Sequence, residues 1–308
     1  MQKTLQLILP AHNESGNILP IYEEICAVLA STNYAFEIIF VNDGSTDDTL
    51  AKIKKLADED PKVKYINLSR NFGKDNALFA GLKSSFGDII ITIDADLQHP
   101  PSLIPKMINH WESGAEIVFA YREKGNNHAS LIKRITSKIF YKLLNVLSEF
   151  EIEDGTSDFR LIDKKVVNVL KDLQEENPFF RGLIKWVGFK QIGIPYTVNQ
   201  RNSGDTKYNS SNLLKLGIQG LTSFTVRPLY LAIYLGFIFS LLSIGYIPYV
   251  LFSFIYGHPI SGWASLIVTV VFLGGVQLMI LGIIGLYLGK IFIQSKQRPH
   301  YIVKETNL

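Results

Sequence analysis

Residues 88–98 read DIIITIDADLQ, a run of isoleucine that ends in two aspartates. A continuous β-branched run of this length is typical of a buried parallel strand. Four other short apolar runs, some of them also continuous and β-branched, occupy residues 5–9, 37–41, 64–68 and 116–119. Apolar side chains at helical spacing fill the segments between them, at residues 18–28, 50–57, 73–86 and 101–112. This strand–helix alternation predicts an α/β fold with a mainly parallel sheet.

Polar side chains follow three of the predicted strands. Asn13 and Glu14 come after the first strand, Asp43 after the second, and Asp94 and Asp96 after the fourth. Open α/β sheets bind ligands beyond the carboxyl ends of their strands, so these residues are expected to converge on one site. Two carboxylates two residues apart can hold a hard divalent cation, Mg²⁺ or Mn²⁺, together with phosphate oxygens. An Asp-x-Asp pair alone also occurs in solvated turns, but the preceding buried strand favours a site.

An apolar stretch dominates the last third of the chain. Residues 228–289 contain no Asp, Glu, Lys or Arg. A stretch of this length is long enough for two membrane crossings. A break at 256–262 leaves spans of about 229–255 and 263–288. Each span alone could be a buried core helix, but two in tandem favour a transmembrane hairpin. The predicted division is therefore a catalytic domain at 1–209, a juxtamembrane helix at 210–227, the hairpin at 228–289 and a cytoplasmic tail at 290–308.

The charges around the hairpin predict its orientation. Lys215 and Arg227 precede it, Lys290 and Lys296 follow it, and the connecting turn has neither Lys nor Arg. The positive-inside rule then places both flanks and the catalytic domain in the cytoplasm. The single cysteine, Cys26, fits a reducing compartment. The net charge of +3 gives no reason to expect a nucleic-acid partner.

A second membrane signal lies at 129–147. Apolar residues line one helical face there, and Lys133, Arg134 and Lys138 lie beside it. A basic amphipathic helix of this kind can lie on an anionic membrane surface, although an ordinary surface helix has the same pattern.

Five motifs taken together resemble the family 2 glycosyltransferases of GT-A type fold. They are PAHNE at 10–14, VNDGSTD at 41–47, RNFGK at 70–74, DADLQ at 94–98 and SDFRL at 157–161. With the two apolar spans, the chain is most similar to polyprenyl-phosphate glycosyltransferases of the bactoprenol glucosyltransferase type, with dolichyl-phosphate mannose synthases as relatives. The resemblance implies an inverting membrane enzyme that moves one hexose from a nucleotide sugar to undecaprenyl phosphate. UDP-glucose is the expected donor. UDP-N-acetylglucosamine and GDP-mannose remain alternative donors, and a homo-oligomer is the family expectation.

The resemblance also implies roles for individual residues. Asp96 would ligate Mg²⁺ or Mn²⁺, with Asp94 and Gln98 as further candidates, and Asp158 would lie near the acceptor as the candidate base. The other residues expected to bind the nucleotide sugar are Pro10, Ala11, Asn13, Glu14, Asp43, Lys74, Arg201 and Lys207. Asn13 and Asp43 are also residue types that cap helices, and Arg201 is also compatible with a plain surface charge.

The chemistry of a phosphate acceptor adds its own expectation. A phosphate monoester is mostly dianionic at pH 7, because its second pKa is about 6, so its main difficulty is repulsion from the donor diphosphate. Cations must offset that repulsion. The candidates between the sheet and the membrane segment are Arg122, Lys133, Arg134 and Lys138. Asp158 would then orient the acceptor or take a residual proton.

Two other functions fit less of the sequence. A processive polysaccharide synthase shares the fold and the aspartates, but typically carries Gln-x-x-Arg-Trp, which residues 180–186, FRGLIKW, do not match. A membrane-anchored scaffold with a retired active site should have lost its aspartates. Asp43, Asp94, Asp96 and Asp158 are all intact.

Overall fold

A computed structural model of the chain describes residues 3–122, 156–173, 175, 178–197, 226–256 and 262–308. These residues divide into a sheet unit, to which Arg298–Leu308 also belongs, and a helical unit within Ser210–Gln297. The predicted basic helix at 129–147 and most of the predicted juxtamembrane helix lie outside the described residues, and so do Lys133, Arg134, Lys138, Arg201 and Lys207.

The sheet unit has eight described strands in the order β7-β5-β6-β4-β1-β2-β3-β8. Their bounds are β1 Thr4–Ala11, β2 Ala35–Asn42, β3 Val63–Leu68, β4 Ile89–Thr92, β5 Ile117–Arg122, β6 Thr156–Asp163, β7 Gln191–Tyr196 and β8 Val303–Thr306. The helices of this unit are α1 Ile18–Leu29, α2 Thr49–Glu59, α3 Lys74–Ser84, α4 Ile104–Glu112, α5 Lys164–Asp172 and α6 Phe180–Trp186. The five predicted strands and four predicted helical segments are all present, so the α/β fold is confirmed.

The central strands are apolar because helices cover the sheet. In β1, Leu5, Leu7 and Leu9 are fully buried, and Ile8 between them is buried as well. The α1 helix presents one apolar stripe to the same core: Ile18, Ile21, Ile25 and Leu29. A strand buried on both faces shows no alternation of apolar and polar residues, which explains the continuous apolar runs in the sequence.

Two strands run against the others. The β1, β2, β3 and β4 strands pair in parallel, whereas β6 pairs antiparallel with both β4 and β5. The β8 strand pairs antiparallel with β3 at one end of the sheet. The sequence predicts a cytoplasmic tail at residues 290–308. Within that range, Arg298–Leu308 belongs to the sheet unit.

The helical unit contains two long apolar helices, α7 Arg227–Ile255 and α8 Trp263–Ser295. Within them, Ala232–Ser253 and Ser265–Ser295 are long and apolar enough to cross a membrane. Their large side chains are exposed, Leu241 and Val271 for example at 61% and 68%. A pair of helices with exposed apolar surface is what the predicted hairpin requires.

Candidate active site

The strand register brings two distant aspartates together. Asp94 follows the end of β4, and β6 runs antiparallel beside it with Thr92 opposite Arg160. Asp158, two residues before Arg160, therefore lies at the same edge of the sheet as Asp94. Thr92 Oγ1 donates a hydrogen bond to the backbone oxygen of Asp158 at 2.5 Å, which fixes this junction.

Lys74 joins the two carboxylates. This residue is the first of α3, and its Nζ lies 2.6 Å from Oδ1 of Asp94 and 2.5 Å from Oδ2 of Asp158. Arg181, on α6, makes a two-pronged contact with Asp158: Nε donates to Oδ1 at 2.7 Å and Nη2 to Oδ2 at 2.9 Å. The Asp158 side chain is 5% exposed, whereas those of Lys74 and Arg181 are 38% and 44% exposed. A buried carboxylate thus anchors two cations that remain accessible.

These contacts hold both aspartates in the ionised form. Burial alone would raise the pKa of Asp158, but Lys74 and Arg181 outweigh it and keep that pKa well below the usual range. Burial also opposes ionisation of Asp94, and Lys74 and His99 lower its pKa to about 2. The reverse holds for Lys74: burial lowers its pKa, but Asp158 and Asp94 together raise it above the usual value. The cluster is therefore two carboxylates paired with two cations.

A third carboxylate lies beside this cluster. Burial, with the neighbouring charge of Asp158, raises the pKa of Asp75 to about 6, and Lys74 and Arg181 act in the opposite direction. The backbone N–H of Phe180, at the start of α6, also acts to lower the pKa of Asp75. Asp75 on α3 therefore lies near the helix that carries Arg181.

His99 supports Asp94 from the other side. Its Nε2 lies 3.3 Å from Oδ2 of Asp94, and the residue is only 2% exposed. The ring packs against Phe159 and Tyr196, with ring centroids 5.9 and 5.3 Å apart. This packing holds the histidine, and with it the Asp94 carboxylate, in one orientation.

Asp96 and Gln98 occupy a tight turn next to Asp94. The backbone N–H of Gln98 donates to Oδ1 of Asp96 at 3.1 Å, and Leu97 between them has a positive φ of 61°. Arg122, at the end of β5, donates from Nη2 to Oε1 of Gln98 at 3.3 Å. Arg122, predicted to bind the acceptor phosphate, thus contacts Gln98, predicted to bind the nucleotide sugar.

The carboxylates of the site fit a Mg²⁺-type ion that takes some of its ligands from a bound substrate. Among the described residues, no group of three or more His, Cys, Asp or Glu side chains is placed to hold a metal. Mg²⁺ is commonly held by one or two carboxylates, with substrate phosphate and water as its other ligands. Asp96 with its neighbour Asp94 provides such a partial set, so the residues fit an ion that arrives with a diphosphate.

Asp43 organises the loop on the other side of β1. Its carboxylate accepts hydrogen bonds from the backbone N–H groups of Phe72 at 2.7 Å and Gly73 at 3.0 Å. Burial raises the pKa of Asp43, and these two N–H groups partly offset the rise. Gly44 has a φ of +62°, and a Cβ there would lie 2.4 Å from backbone atoms of Arg70 and Asn71. The two loops are therefore in close contact, and only glycine fits at position 44.

The loop after β1 completes this end of the site. Asn13 has a positive φ of 57°, and its Oδ1 accepts a hydrogen bond from the backbone N–H of Thr46 at 2.8 Å. The backbone N–H of Glu14 donates to Oγ1 of Thr49 at 2.9 Å. The N-cap positions of the following helices α1 and α2 are Asn17 and Asp48, so neither Asn13 nor Asp43 occupies an N-cap position there. Asn13 and Asp43 instead connect loops at the carboxyl ends of β1 and β2, where Pro10 and Ala11 also lie.

The structure thus collects the described site candidates at one edge of the sheet. Asp94, Asp158 and Lys74 are in direct contact. Asp96 and Gln98 lie in the adjoining turn, which Arg122 contacts from the end of β5. The loops after β1 and β2 lie next to each other at the same end of the sheet. Arg181, His99 and Asp75 belong to the same cluster but are not predicted from the sequence. Arg181 lies in the segment FRGLIKW at 180–186, which draws attention in the sequence only because it does not match Gln-x-x-Arg-Trp. The signal for His99 is its position directly after the DADLQ motif.

The sequence of the chain is similar to those of known glycosyltransferases. Residues 6–170 match the family described as glycosyl transferase family 2. The bactoprenol glucosyl transferase of Shigella phage SfV is 40% identical over 301 residues, 97% of this chain and 98% of that protein. An uncharacterized glycosyltransferase of Bacillus subtilis is 41% identical over 97% of this chain and 93% of its own length.

Solved structures agree at the level of the fold. Glucosyl-3-phosphoglycerate synthase of Mycobacterium tuberculosis, solved with Mn²⁺, UDP-glucose and phosphoglyceric acid, has a TM-score of 0.50 and 20% identity. The match covers 72% of this chain and 78% of that one. The family match over more than half of the chain, the full-length relatives and the GT-A-like sheet lead to one conclusion: the chain belongs to glycosyl transferase family 2 and is a glycosyltransferase.

Proposed function

We propose that this protein transfers a single hexose from a nucleotide sugar, most simply UDP-glucose, to undecaprenyl phosphate. The observation that carries the proposal is full-length similarity to relatives named for this activity. Bactoprenol glucosyl transferase of phage SfV and the prophage homolog of Escherichia coli are each 40% identical over 97% of this chain. That span includes both apolar helices as well as the sheet.

The donor would lie across the carboxyl ends of β1, β2 and β4. Asp43 would take the uracil side, and Pro10, Ala11, Asn13 and Glu14 would border the base and ribose. Asp94 would contact the ribose or the sugar, while Arg201 and Lys207 would close over the diphosphate. The linked loops around Asp43 and Gly73 support this assignment, because they hold backbone groups in fixed positions beside the site.

A divalent cation would be held by Asp96, with Asp94 and Gln98 as neighbours. Bound Mg²⁺ or Mn²⁺ would neutralise charge that develops on the departing diphosphate. Among this chain's own residues, Lys74 already neutralises Asp94 at 2.6 Å, so the charge balance at that aspartate must change when a cation and donor bind.

The acceptor phosphate can attack without a strong base. Its dianion forms a bond from a phosphate oxygen to the anomeric carbon, and the bond from that carbon to the diphosphate breaks with UDP as the leaving group. The configuration is inverted by this direct displacement. Arg122 touches Gln98 beside the metal residues, so its charge is available where the two phosphates would approach. Lys133, Arg134 and Lys138 are proposed to extend this cationic surface.

The contacts of Asp158 favour a positioning role over proton abstraction. A carboxylate held by Lys74 and Arg181 has a pKa well below its usual range and is a weak base. Its negative charge instead keeps two half-exposed cations beside the reaction centre. We therefore assign Asp158 to orienting these cations, with the acceptor dianion as the nucleophile.

The chain order supports a membrane hairpin with both ends on one side. The chain leaves the sheet unit before α7 and rejoins it through β8 after α8. A chain that starts and ends in one folded unit crosses a bilayer an even number of times. Together with the basic flanks, this supports a catalytic domain on the cytoplasmic face of the cell membrane. A homo-oligomer is part of the proposal on family grounds alone.

The test is direct transfer with defined substrates. Full-length protein in lipid nanodiscs is incubated with undecaprenyl phosphate and radiolabelled UDP-glucose, UDP-N-acetylglucosamine or GDP-mannose, each with Mg²⁺ or Mn²⁺. We expect label from UDP-glucose in the lipid fraction. The Asp96→Ala variant and wild type in excess EDTA should both lose transfer, because the ion loses its protein ligand or is removed.

Each other outcome has a definite meaning. Transfer of label from another donor would replace UDP-glucose as the proposed donor and leave the proposed acceptor unchanged. A polymer in place of a single-sugar lipid would favour a processive synthase. Full activity of Asp96→Ala or of wild type in EDTA would remove the metal role.

A further inference from the structure

The C-terminal strand brings a carboxylate to the edge of the sheet. In the pairing of β3 with β8, Glu305 lies opposite Asn67. Oε1 of Glu305 accepts a hydrogen bond from Nδ2 of Asn67 at 2.8 Å, and Oε2 lies 2.8 Å from Nζ of Lys54. The strand is held independently by Thr306, whose Oγ1 donates to the backbone oxygen of Tyr65 at 2.7 Å.

The Asn67 side chain that contacts Glu305 also forms a hydrogen bond further into the sheet. Its Oδ1 accepts a hydrogen bond from Nδ2 of Asn42 at 2.8 Å, and both residues are buried. Asn42 is the last residue of β2, and its Oδ1 in turn accepts from the backbone N–H of Ser45 at 3.4 Å. An unbroken series of side-chain amides therefore runs from β8 to the loop after β2.

A carboxylate at one end sets the direction of this series. An ionised Glu only accepts hydrogen bonds, whereas an Asn amide has a donor end and an acceptor end. Glu305 thus requires Asn67 to turn its NH₂ outward and its oxygen toward Asn42. Asn42 must then donate to Asn67, which leaves its own oxygen for the N–H of Ser45.

The loop reached in this way touches the nucleotide end of the site. Oγ of Ser45 accepts a hydrogen bond from the backbone N–H of Asn13 at 3.0 Å, and the next residue, Thr46, donates to Asn13 Oδ1. We propose that Glu305, a residue that follows both apolar helices in the chain, is a positioning residue for the nucleotide site, acting through Asn67 and Asn42. The inference rests on the proposed function, because it takes the ligand of these loops to be a uridine nucleotide.

The test measures UDP binding to the full-length protein in nanodiscs with Mg²⁺. Glu305→Ala removes the acceptor for the buried Asn67 amide, and leaving such a group unsatisfied is unfavourable. We expect the Kd for UDP to rise by roughly threefold to tenfold. Glu305→Gln keeps an oxygen for Asn67, so we expect this variant to restore binding close to that of wild type.

Two controls separate positioning from the docking of β8. Lys54→Ala removes the ion pair but leaves the acceptor of Asn67, and Thr306→Val removes a strand contact but leaves the amide series. Both should bind UDP as wild type does. Melting temperatures of all four variants, measured without nucleotide, show whether any change in Kd follows a loss of stability.

Three results would overturn the inference. The first is an unchanged Kd in Glu305→Ala. The second is an equal loss of binding in Thr306→Val and Glu305→Ala, and the third is a failure of Glu305→Gln to recover binding, because either of these would mean that strand docking alone matters. Wild-type protein that binds no UDP is a separate outcome that contradicts the proposed function itself, and it is seen before any variant is made.

Discussion

The carboxylate of Asp158 lies between Lys74 and Arg181, and this position determines what its removal should do. Asp158→Asn keeps the shape of the side chain but leaves two cations without their buried partner. Breaking a buried pair by neutralising one partner is strongly unfavourable. We expect kcat to fall by about a hundredfold or more, as when a positioned charge is lost from an active site, with a smaller change in UDP affinity.

The pH profile tells a positioning role from that of a base. Because the pKa of Asp158 is well below its usual range, the residue is ionised throughout pH 5–8. The rise of the rate near pH 6 should therefore come from groups other than Asp158: the second ionisation of the acceptor phosphate and Asp75, whose pKa is raised to about 6. Residual activity of Asp158→Asn should keep that same profile. A profile that loses its acidic limb in the variant would restore Asp158 as the base.

Arg181 provides the matched comparison. Arg181→Gln should lower kcat much as Asp158→Asn does, and the double variant should be little worse than either, since the two residues act as one unit. Arg181→Lys keeps the charge but not the two-pronged geometry and should fall between wild type and Arg181→Gln. Full additivity of the two losses would contradict a shared role.

At the scale of elements, the contact between the loops after β2 and β3 depends on Gly44. Gly44→Ala adds a Cβ within 2.4 Å of backbone atoms of Arg70 and Asn71. Overpacking and a left-handed backbone together should cost about 2–4 kcal/mol in unfolding free energy. UDP affinity should fall as the loops separate.

Gly114 is the control for that substitution. Its φ is +94°, but a Cβ there meets nothing within 4 Å. Gly114→Ala should cost only the backbone strain, about 1–2 kcal/mol, and leave UDP binding unchanged. Thermal unfolding and UDP titration of both variants make the comparison. An equal effect on UDP binding would show that the loop contact is not needed there.

The elements also show what the sequence could predict. The β1 to β5 strands are rich in apolar residues, so their positions follow from local pattern, and the polar residues at the ends of β1, β2 and β4 indicate the site. The β8 strand, Val303–Thr306, has one apolar residue and pairs with a strand more than 230 positions earlier. Arg181 likewise becomes part of the site only when α6 packs near Asp75. Contacts that depend on packing between distant segments leave no periodic pattern to find.

At the scale of the whole molecule, the return of the chain to the sheet changes the expected effect of truncation. The residues proposed to bind the donor and the metal all precede residue 228, so removal of 228–308 deletes none of them. That deletion does, however, remove β8 and Glu305. We expect the truncated protein to melt at a lower temperature and to bind UDP more weakly than wild type, as thermal unfolding and UDP titration would measure.

A second variant isolates the role of the hairpin. Residues 226–297 are replaced by a flexible Gly/Ser linker that keeps 298–308. This protein should bind UDP nearly as well as wild type but transfer poorly to long-chain undecaprenyl phosphate, because it no longer shares a surface with the acceptor. A short water-soluble polyprenyl phosphate should restore part of the rate. Full-rate transfer to the long-chain lipid would contradict the anchoring role.

The position of β8 after α8 also has a consequence for biosynthesis. Chains are made from the N-terminus, and domains generally fold in that order. Until the hairpin and the residues after it have been made, β3 remains an uncovered edge, which is a template for pairing with another chain. Completion of the sheet therefore waits for the membrane segment. Under the proposed function, a nascent enzyme would acquire its complete nucleotide site only after the hairpin proposed to anchor it in the bilayer has been synthesised.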